Sequence, residues 1–339
     1  MTDSAPTSFF TRRQLLRTLA AVPLAAAGLR GANAATAATT AITNATASTS
    51  GVTLVLGDQA GGTRALVEAA KVLDGVPYAY RWANFQGAAP LFEAQRAGAV
   101  DLAPAGDLPV LAAAVGDPSL KIVATRVGSG AQLGILVGPH STIRNVAELK
   151  GRTVFVSSAR GSISQFQLYG ALAEAGLSKE DVTVRFILPV DAFAAFASGS
   201  IEVWATFDPY YGIAVQRGGR ILRDGSGINS GLGFITASGD SLSDPRKRAA
   251  IADVLARYQR AGDWAVANPD AYAQIYASLT RSPLDAARQI TQRASLKQHF
   301  VNDTDIDALQ KVADRANRDA ILPRRIDVRA ISETHLAAA

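Results

Sequence analysis

From Gly51 to Ala237, short apolar runs alternate with Ala- and Leu-rich stretches whose apolar residues recur at helical spacing. The short runs predict strands over 52–56, 78–83, 101–104, 122–126, 133–137, 153–156, 182–187, 203–206 and 233–237. The stretches between them predict helices near 64–73, 90–97 and 166–175, with Gly75, Gly98 and Gly176 where helices commonly end. Asn145 and Glu148 are spaced as a helix-start pair, closed by Gly151. Such alternation predicts a mainly parallel, helix-covered sheet. Beyond Asp244 the pattern changes. Apolar positions at Ile251, Val254, Leu255, Tyr258, Trp264 and Val266 predict one long helix, closed by Asn268-Pro269. Helices follow near 271–279, 283–292 and 305–316, a helix-only tail expected to pack back across the body. No internal repeat is present.

Four of the strand runs break into turns of Gly, Ser, Thr or Asp before a helix-like segment: LVLG-DQAGGT (54–63), DLAPA-GDLP (101–109), TVFV-SSARGS (153–162) and EVWAT-FDPYY (202–211). A helix start carries unpaired N–H groups backed by the positive end of its dipole. Several such starts at the carboxyl ends of parallel strands can surround a small anion.

The N-terminus has a different character. Arg12-Arg13 with Leu15-Leu16, an apolar stretch over 18–29 and Ala32-Asn33-Ala34 predict a cleavable twin-arginine export signal over 1–34. The stretch is shorter than the ~20 apolar residues a membrane span needs. Residues 35–50 are small, polar and aperiodic, and read as a flexible linker. Loss of 1–34 removes four Arg and one Asp, lowering the net charge from +5 to +2. The basic balance therefore belongs mostly to the signal, and a nucleic-acid partner is not expected. The chain has no cysteine, so disulfides, thiolate metal sites and a thiol nucleophile are excluded. With 48% hydrophobic residues, stability comes from burial, and roughly 290 residues beyond the linker exceed one compact core. The three histidines, His140, His299 and His335, are dispersed without metal spacing, and no cofactor is expected.

The order of these turns resembles the periplasmic solute-binding proteins of ABC importers for aliphatic sulfonates, nitrate and taurine. The residues that carry it are Gln59-Ala60-Gly61-Gly62-Thr63, Gly106-Asp107-Leu108-Pro109, the run AELKGRTVFVSSARGS (147–162), the run 171–211 and Gly231-Leu232-Gly233-Phe234. The resemblance covers about residues 51–325. It implies an α/β, two-lobed periplasmic-binding-protein-like (type II) fold with a two-strand hinge and a helical C-terminal extension. Lobe 1 would be discontinuous, 51–137 plus 231–330, and lobe 2 would span 138–230. The implied protein is a periplasmic monomer, cleaved near Ala34 after passing the twin-arginine machinery, that takes part in sulfur metabolism. It would close on a small organic anion, an alkanesulfonate, and deliver it to an ABC permease without turnover.

A sulfonate offers three oxygens that only accept hydrogen bonds. Backbone N–H groups around Gly61, Gly62, Thr63, Gly106, Gly161 and Ser162, the hydroxyls of Thr63, Ser162 and Ser164, the Gln59 amide and Arg160 are the candidate donors. Trp204, Phe207 and Tyr210 are candidate walls for the organic tail. Asp107 and Asp208 would repel an anion; they fit either a ligand that also carries an amine or the capping of their own helices. Thr63 is likewise open between a plain helix cap and a ligand contact. Two other readings share the resemblance: an enzyme on the same scaffold, desulfinase-like or pyrimidine-precursor synthase-like, and a receptor domain for a membrane sensor. The enzymes of that kind depend on a reactive Cys or on clustered His with iron, and no GxSxG serine elbow is present.

Overall fold

The computed structural model describes residues 48–336. The export signal and nearly all of the linker lie outside the described residues. In chain order the strands are β1 (Thr53–Gln59), β2 (Ala79–Phe85), β3 (Leu102–Gly106), β4 (Lys121–Val127), β5 (Leu133–Val137), β6 (Thr153–Ser157), β7 (Thr183–Ile187), β8 (Val203–Phe207), β9 (Arg220–Asp224), β10 (Leu232–Ala237) and β11 (Lys297–Phe300). The α-helices are α1 (Gly62–Ala70), α2 (Ala88–Arg96), α3 (Asp107–Gly116), α4 (Ile163–Glu174), α5 (Pro189–Ala197), α6 (Tyr210–Gln216), α7 (Gly239–Ser243), α8 (Pro245–Ala267), α9 (Pro269–Thr280), α10 (Leu284–Arg293) and α11 (Asp303–Arg318).

The strands form two sheets, a six-stranded one in the order β11-β4-β10-β3-β1-β2 and a five-stranded one in the order β7-β6-β8-β5-β9. Neither is mainly parallel as the alternation predicted. Each holds a parallel trio, β2-β1-β3 and β7-β6-β8, followed by antiparallel pairings. The reason is connectivity. The chain passes from the first sheet to the second over 128–132 and returns over 225–231, and the strand that enters each time, β5 or β10, runs antiparallel to its neighbours. Because β5 pairs with β8 and β9, the first passage precedes Leu133 rather than following Val137. The passages lie side by side: the Gly128 N–H donates to the Gly231 carbonyl at 2.8 Å, and any Cβ on Gly231 would overlap the Gly128 backbone.

Two strands escaped the apolar pattern, β9 (RILRD) and β11 (KQHF), and the latter interrupts the helix-only tail. Both lie at a sheet edge, where charged and polar residues discourage further pairing and leave little apolar alternation to read. The helices are set by local signals. Helix α8 opens with Pro245 after Asp244, whose carboxylate accepts from the Arg246 and Lys247 N–H groups. Asn145 precedes a short 3₁₀ turn, Val146–Leu149, that contains Glu148, and its amide donates to Glu148 rather than capping the backbone.

Each sheet is buried on both faces. Helices α2, α3 and α11 cover one face of the six-stranded sheet through Leu91, Leu111, Ile306 and Leu309, and α8 covers the other through Ile251, Val254 and Leu255. The five-stranded sheet packs α4 on one face, through Leu168 and Leu172, and α5 with α6 on the other, around Trp204. Among the described residues no helix is long and apolar enough to cross a membrane.

Candidate ligand-binding site

A cavity of about 230 Å³ opens where the carboxyl ends of β1, β3, β6 and β8 face one another between the sheets. From the first sheet and its helices come Gln59, Gly62, Thr63, Gly106, Arg126, Tyr272 and Tyr276; from the second come Ser162, Ile163, Phe207 and Asp208, and Gln132 comes from the first passage between them. The volume suits a small solute, and the lining is largely aromatic and aliphatic with a few polar groups, the usual composition of a ligand site.

Each of the four expected helix starts can be followed to its hydrogen bonds, and three of them carry their own carboxylate. Under α1, Asp58 accepts from the N–H groups of Thr63 (2.8 Å) and Arg64 (3.3 Å). At α3, Asp107 accepts from the Leu108 N–H at 2.7 Å and from the Ser230 hydroxyl at 2.5 Å. Before α6, Asp208 accepts from the Gly212 N–H at 2.9 Å. Burial raises the pKa of all three carboxyls above the ordinary Asp value, against the hydrogen bonds and cations that lower it. Helix α4 is the exception. Its cap is neutral, the Ser162 hydroxyl accepting from the Gln165 N–H, and Ser162 and Ile163 line the cavity. Of these four starts, the one whose dipole faces the cavity without a carboxylate plug is that of α4; the start of α2, at Ala88, also lines the cavity without an acidic residue in its first turn.

Several expected donors are spent inside the chain. The Gly61 N–H donates to Asn84, the Gly161 N–H to Gln165 and the Ser162 N–H to the Ala159 carbonyl. Gln59, Gly62, Thr63, Gly106, Ser162 and Asp208 line the cavity; Gly61, Asp107, Arg160, Gly161, Ser164, Trp204 and Tyr210 do not. Ser164 and Asp107 are fully buried. Arg160 is exposed over the Phe186 ring. Tyr210 packs at a tilt against Phe193 and edge-on against Phe207, leaving Phe207 as the aromatic wall of the two. Trp204 has no exposed surface; it packs against Phe193 and Phe196 and donates its indole N–H to Ser157 at 2.9 Å. Position 204 lies inside β8, where successive side chains face opposite sides of the sheet, and only Phe207 at the strand's end reaches the cavity.

The cation that the pattern did not single out is Arg126, near the end of β4. Its Nε donates to the Ser295 carbonyl at 3.2 Å and its Nη1 to the Thr63 hydroxyl at 3.2 Å. A guanidinium has five N–H groups, so these two bonds hold it while the rest remain for a guest. Burial lowers its pKa from the ordinary arginine value, opposed by Tyr272, Asp58 and Tyr258. Gly233 is its partner across the ladder on β10 and also lines the cavity. A sequence signal existed: a lone Arg near the end of a strand that otherwise reads as buried, KIVATRV. Gln132, also overlooked, lines the cavity from the first passage between the sheets, and its side-chain oxygen is buried without a partner among the described residues. Tyr272 and Tyr276 arrive from α9, in the tail where no sequence motif pointed.

The negative charge of Asp208 is answered across the cleft. Arg293, at the end of α10, donates Nε to Oδ2 at 3.1 Å and Nη2 to Oδ1 at 3.0 Å. Other contacts join the halves nearby: a Cβ on Gly106 would overlap the Ile163 side chain, and one on Gly161 would press on Ala112. Among the described residues no three His, Asp or Glu are grouped as a metal site.

The family model described as NMT1/THI5 like matches residues 89–271. A curated relative from Escherichia coli (strain K12), named as an aliphatic sulfonates-binding protein, is 31% identical over 251 residues, covering 73% of this chain and 77% of that protein. Among solved structures, the alkanesulfonate-binding protein SsuA from Xanthomonas axonopodis pv. citri bound to MOPS matches with a TM-score of 0.76 at 26% identity, over 84% of this chain and 99% of that one. The periplasmic aliphatic sulphonate binding protein SsuA from Escherichia coli matches with a TM-score of 0.70 at 28% identity, over 82% and 91%. The two-sheet architecture is thus the periplasmic-binding-protein-like fold that the order of turns implied. On sequence and on fold together, the chain belongs to the NMT1/THI5-like family and is a relative of the periplasmic sulfonate-binding proteins.

Proposed function

We propose that the protein is the exported receptor of an ABC importer, capturing a small organic anion, an alkanesulfonate, by closing its two halves and presenting the closed form to a membrane permease. The observation that carries this reading is Arg126, a guanidinium lining the cavity with N–H groups to spare. Opposite it stands the α4 start, a helix dipole without a carboxylate. A tetrahedral oxyanion with three acceptor oxygens satisfies a guanidinium fork and a helix start together, and needs no proton transfer. Tyr272, Tyr276, Ile290 and Phe207 offer apolar surface to an organic tail, which a bare inorganic ion does not use. The names of the relatives, aliphatic and alkanesulfonate-binding, support the same class.

In this reading the two sheets are the cores of two lobes, and the passages over 128–132 and 225–231 are the hinge about which they close. Export by the twin-arginine route with cleavage near Ala34, residence in the periplasm and a monomeric state complete it. The protein binds without turnover: it has no cysteine to serve as a nucleophile, and among the described residues no histidine lines its cavity.

Titration calorimetry on the processed protein tests the reading. Alkanesulfonates and MOPS are expected to bind, and nitrate to bind far more weakly. Nitrate bound with alkanesulfonates ignored overturns it. Incubation with an aryl sulfinate is expected to release no sulfite.

A further inference from the structure

Asp208 is, among the described residues, the one carboxylate that lines the cavity, and an anion receptor gains nothing from such a charge. Its surroundings show how the charge is handled. Oδ1 accepts from the Gly212 N–H and from Arg293 Nη2, and Oδ2 accepts from Arg293 Nε. Two parallel N–H donors from one planar group make a bidentate pair, the strongest form of this contact. The carboxylate is 9% exposed and the guanidinium 22%, so water screens them little. Arg293 also lies over the Tyr211 ring at 5.0 Å, which fixes its plane. Gly212 makes the approach possible: a Cβ there would come within 2.9 Å of Arg293 Nη2 and 2.8 Å of Ile290. The partners belong to opposite halves, Asp208 at the end of β8 and Arg293 at the end of α10.

We propose that Arg293 is a specificity-determining residue: by reaching across the cleft to Asp208 it withdraws that carboxylate from ligand recognition, and so selects organic anions with a neutral tail over anions that also carry an ammonium group. This rests on the reading of the cavity as an organic-anion site. An ammonium entering the closed cleft must displace the guanidinium from Asp208 or stay unpaired and desolvated. A methyl in the same place loses nothing. Without Arg293 the relation inverts, because an unpaired carboxylate repels the anion and offers the ammonium a partner.

Propanesulfonate and taurine have the same shape and differ at one end, methyl against ammonium, which makes them the probe pair. Calorimetry on the wild-type protein, Arg293→Met, Asp208→Asn and the double variant reads both affinities. The wild type is expected to favour propanesulfonate. In Arg293→Met the propanesulfonate affinity should fall at least about tenfold, and the taurine-to-propanesulfonate ratio should rise by about as much. The double variant should regain both the affinity and the preference. Asp208→Asn alone, informative if Arg293→Met does not fold, should bind propanesulfonate at least as tightly as the wild type and taurine no better. An unchanged ratio in Arg293→Met, a double variant as impaired as the single one, or a gain for taurine in Asp208→Asn overturns the proposal. A wild-type protein that binds neither sulfonate overturns the anion-site reading itself and this proposal with it.

Discussion

Arg126 shows how a single position can be conspicuous in sequence and still lack a role there. An Arg in an apolar strand is visible, but its use depends on Thr63 and Ser295, which lie 63 and 169 residues away. Replacing it with Gln keeps hydrogen-bonding capacity and removes the charge. The alkanesulfonate affinity of Arg126→Gln is expected to fall roughly 30- to 100-fold by calorimetry, the loss of charge-assisted hydrogen bonds. Trp204 should behave oppositely. Trp204→Ala empties a core site at a cost of about 3–5 kcal/mol in chemical unfolding, while the folded fraction keeps its ligand affinity. Asp107 makes a prediction about pH. Its folded pKa is raised by burial above the ordinary 3.8, so stability is lost as the pH rises from 3.8 to the folded value, and the full cost is present above it. Asp107→Asn removes that cost and can still meet Ser230 and Leu108. The variant should melt higher than the wild type near neutral pH, and the gap should close as the pH falls through the raised pKa toward 3.8. The dual reading of Asp107 and Asp208, cap or amine partner, could not be settled from residue type. Both carboxylates accept backbone N–H groups in their own turns, and the charge of Asp208 goes to Arg293.

The elements were legible wherever burial imposes a period. The nine predicted strands are present, and so are the long helix after Asp244 and the three helical segments beyond it. What failed was polar: β9 and β11, whose edge positions need no apolar face, and the direction of β5 and β10, which depends on how the chain passes between sheets. What each expected helix start can offer an anion depends on polar detail of the same kind. A start whose N–H groups meet a carboxylate of the same turn is already neutralised, as at α1, α3 and α6, whereas of the four expected starts the Ser162-capped α4 is not. Gly106 and Ile163 make a test at this scale. The Gly106 backbone lies at φ −69 and ψ 171, which any residue adopts, so a side chain there strains only the contact with α4. Gly106→Val should hold β3 and α4 apart and weaken ligand binding about tenfold or more with little change in melting temperature, and Ile163→Ala in the same chain should restore most of it.

At the scale of the whole molecule, two packed bodies face each other across the cleft. Each sheet has its own buried cluster, yet Gly106 with Ile163, Gly161 with Ala112 and Asp208 with Arg293 all meet across the cleft. A ligand between them should therefore act as a staple. At a hundredfold excess over Kd it stabilises the folded state by about 2.7 kcal/mol, read as a rise in melting temperature, and small-angle scattering should report a smaller radius of gyration with sulfonate than without. Closure of this kind was implied only by resemblance, since no periodicity within one segment reports how two segments approach.

The pair of passages between the sheets has a consequence for how fast a solute is caught. If the passages are the proposed hinge, two tethers bonded together at Gly128 and Gly231 would restrict the bodies to one swing, like a door on two pins. Cutting the backbone in the second passage would leave a single swivel, with every group in the cavity intact. The clipped protein would search many misaligned docking angles before finding the productive one, so capture should slow while escape keeps its native rate.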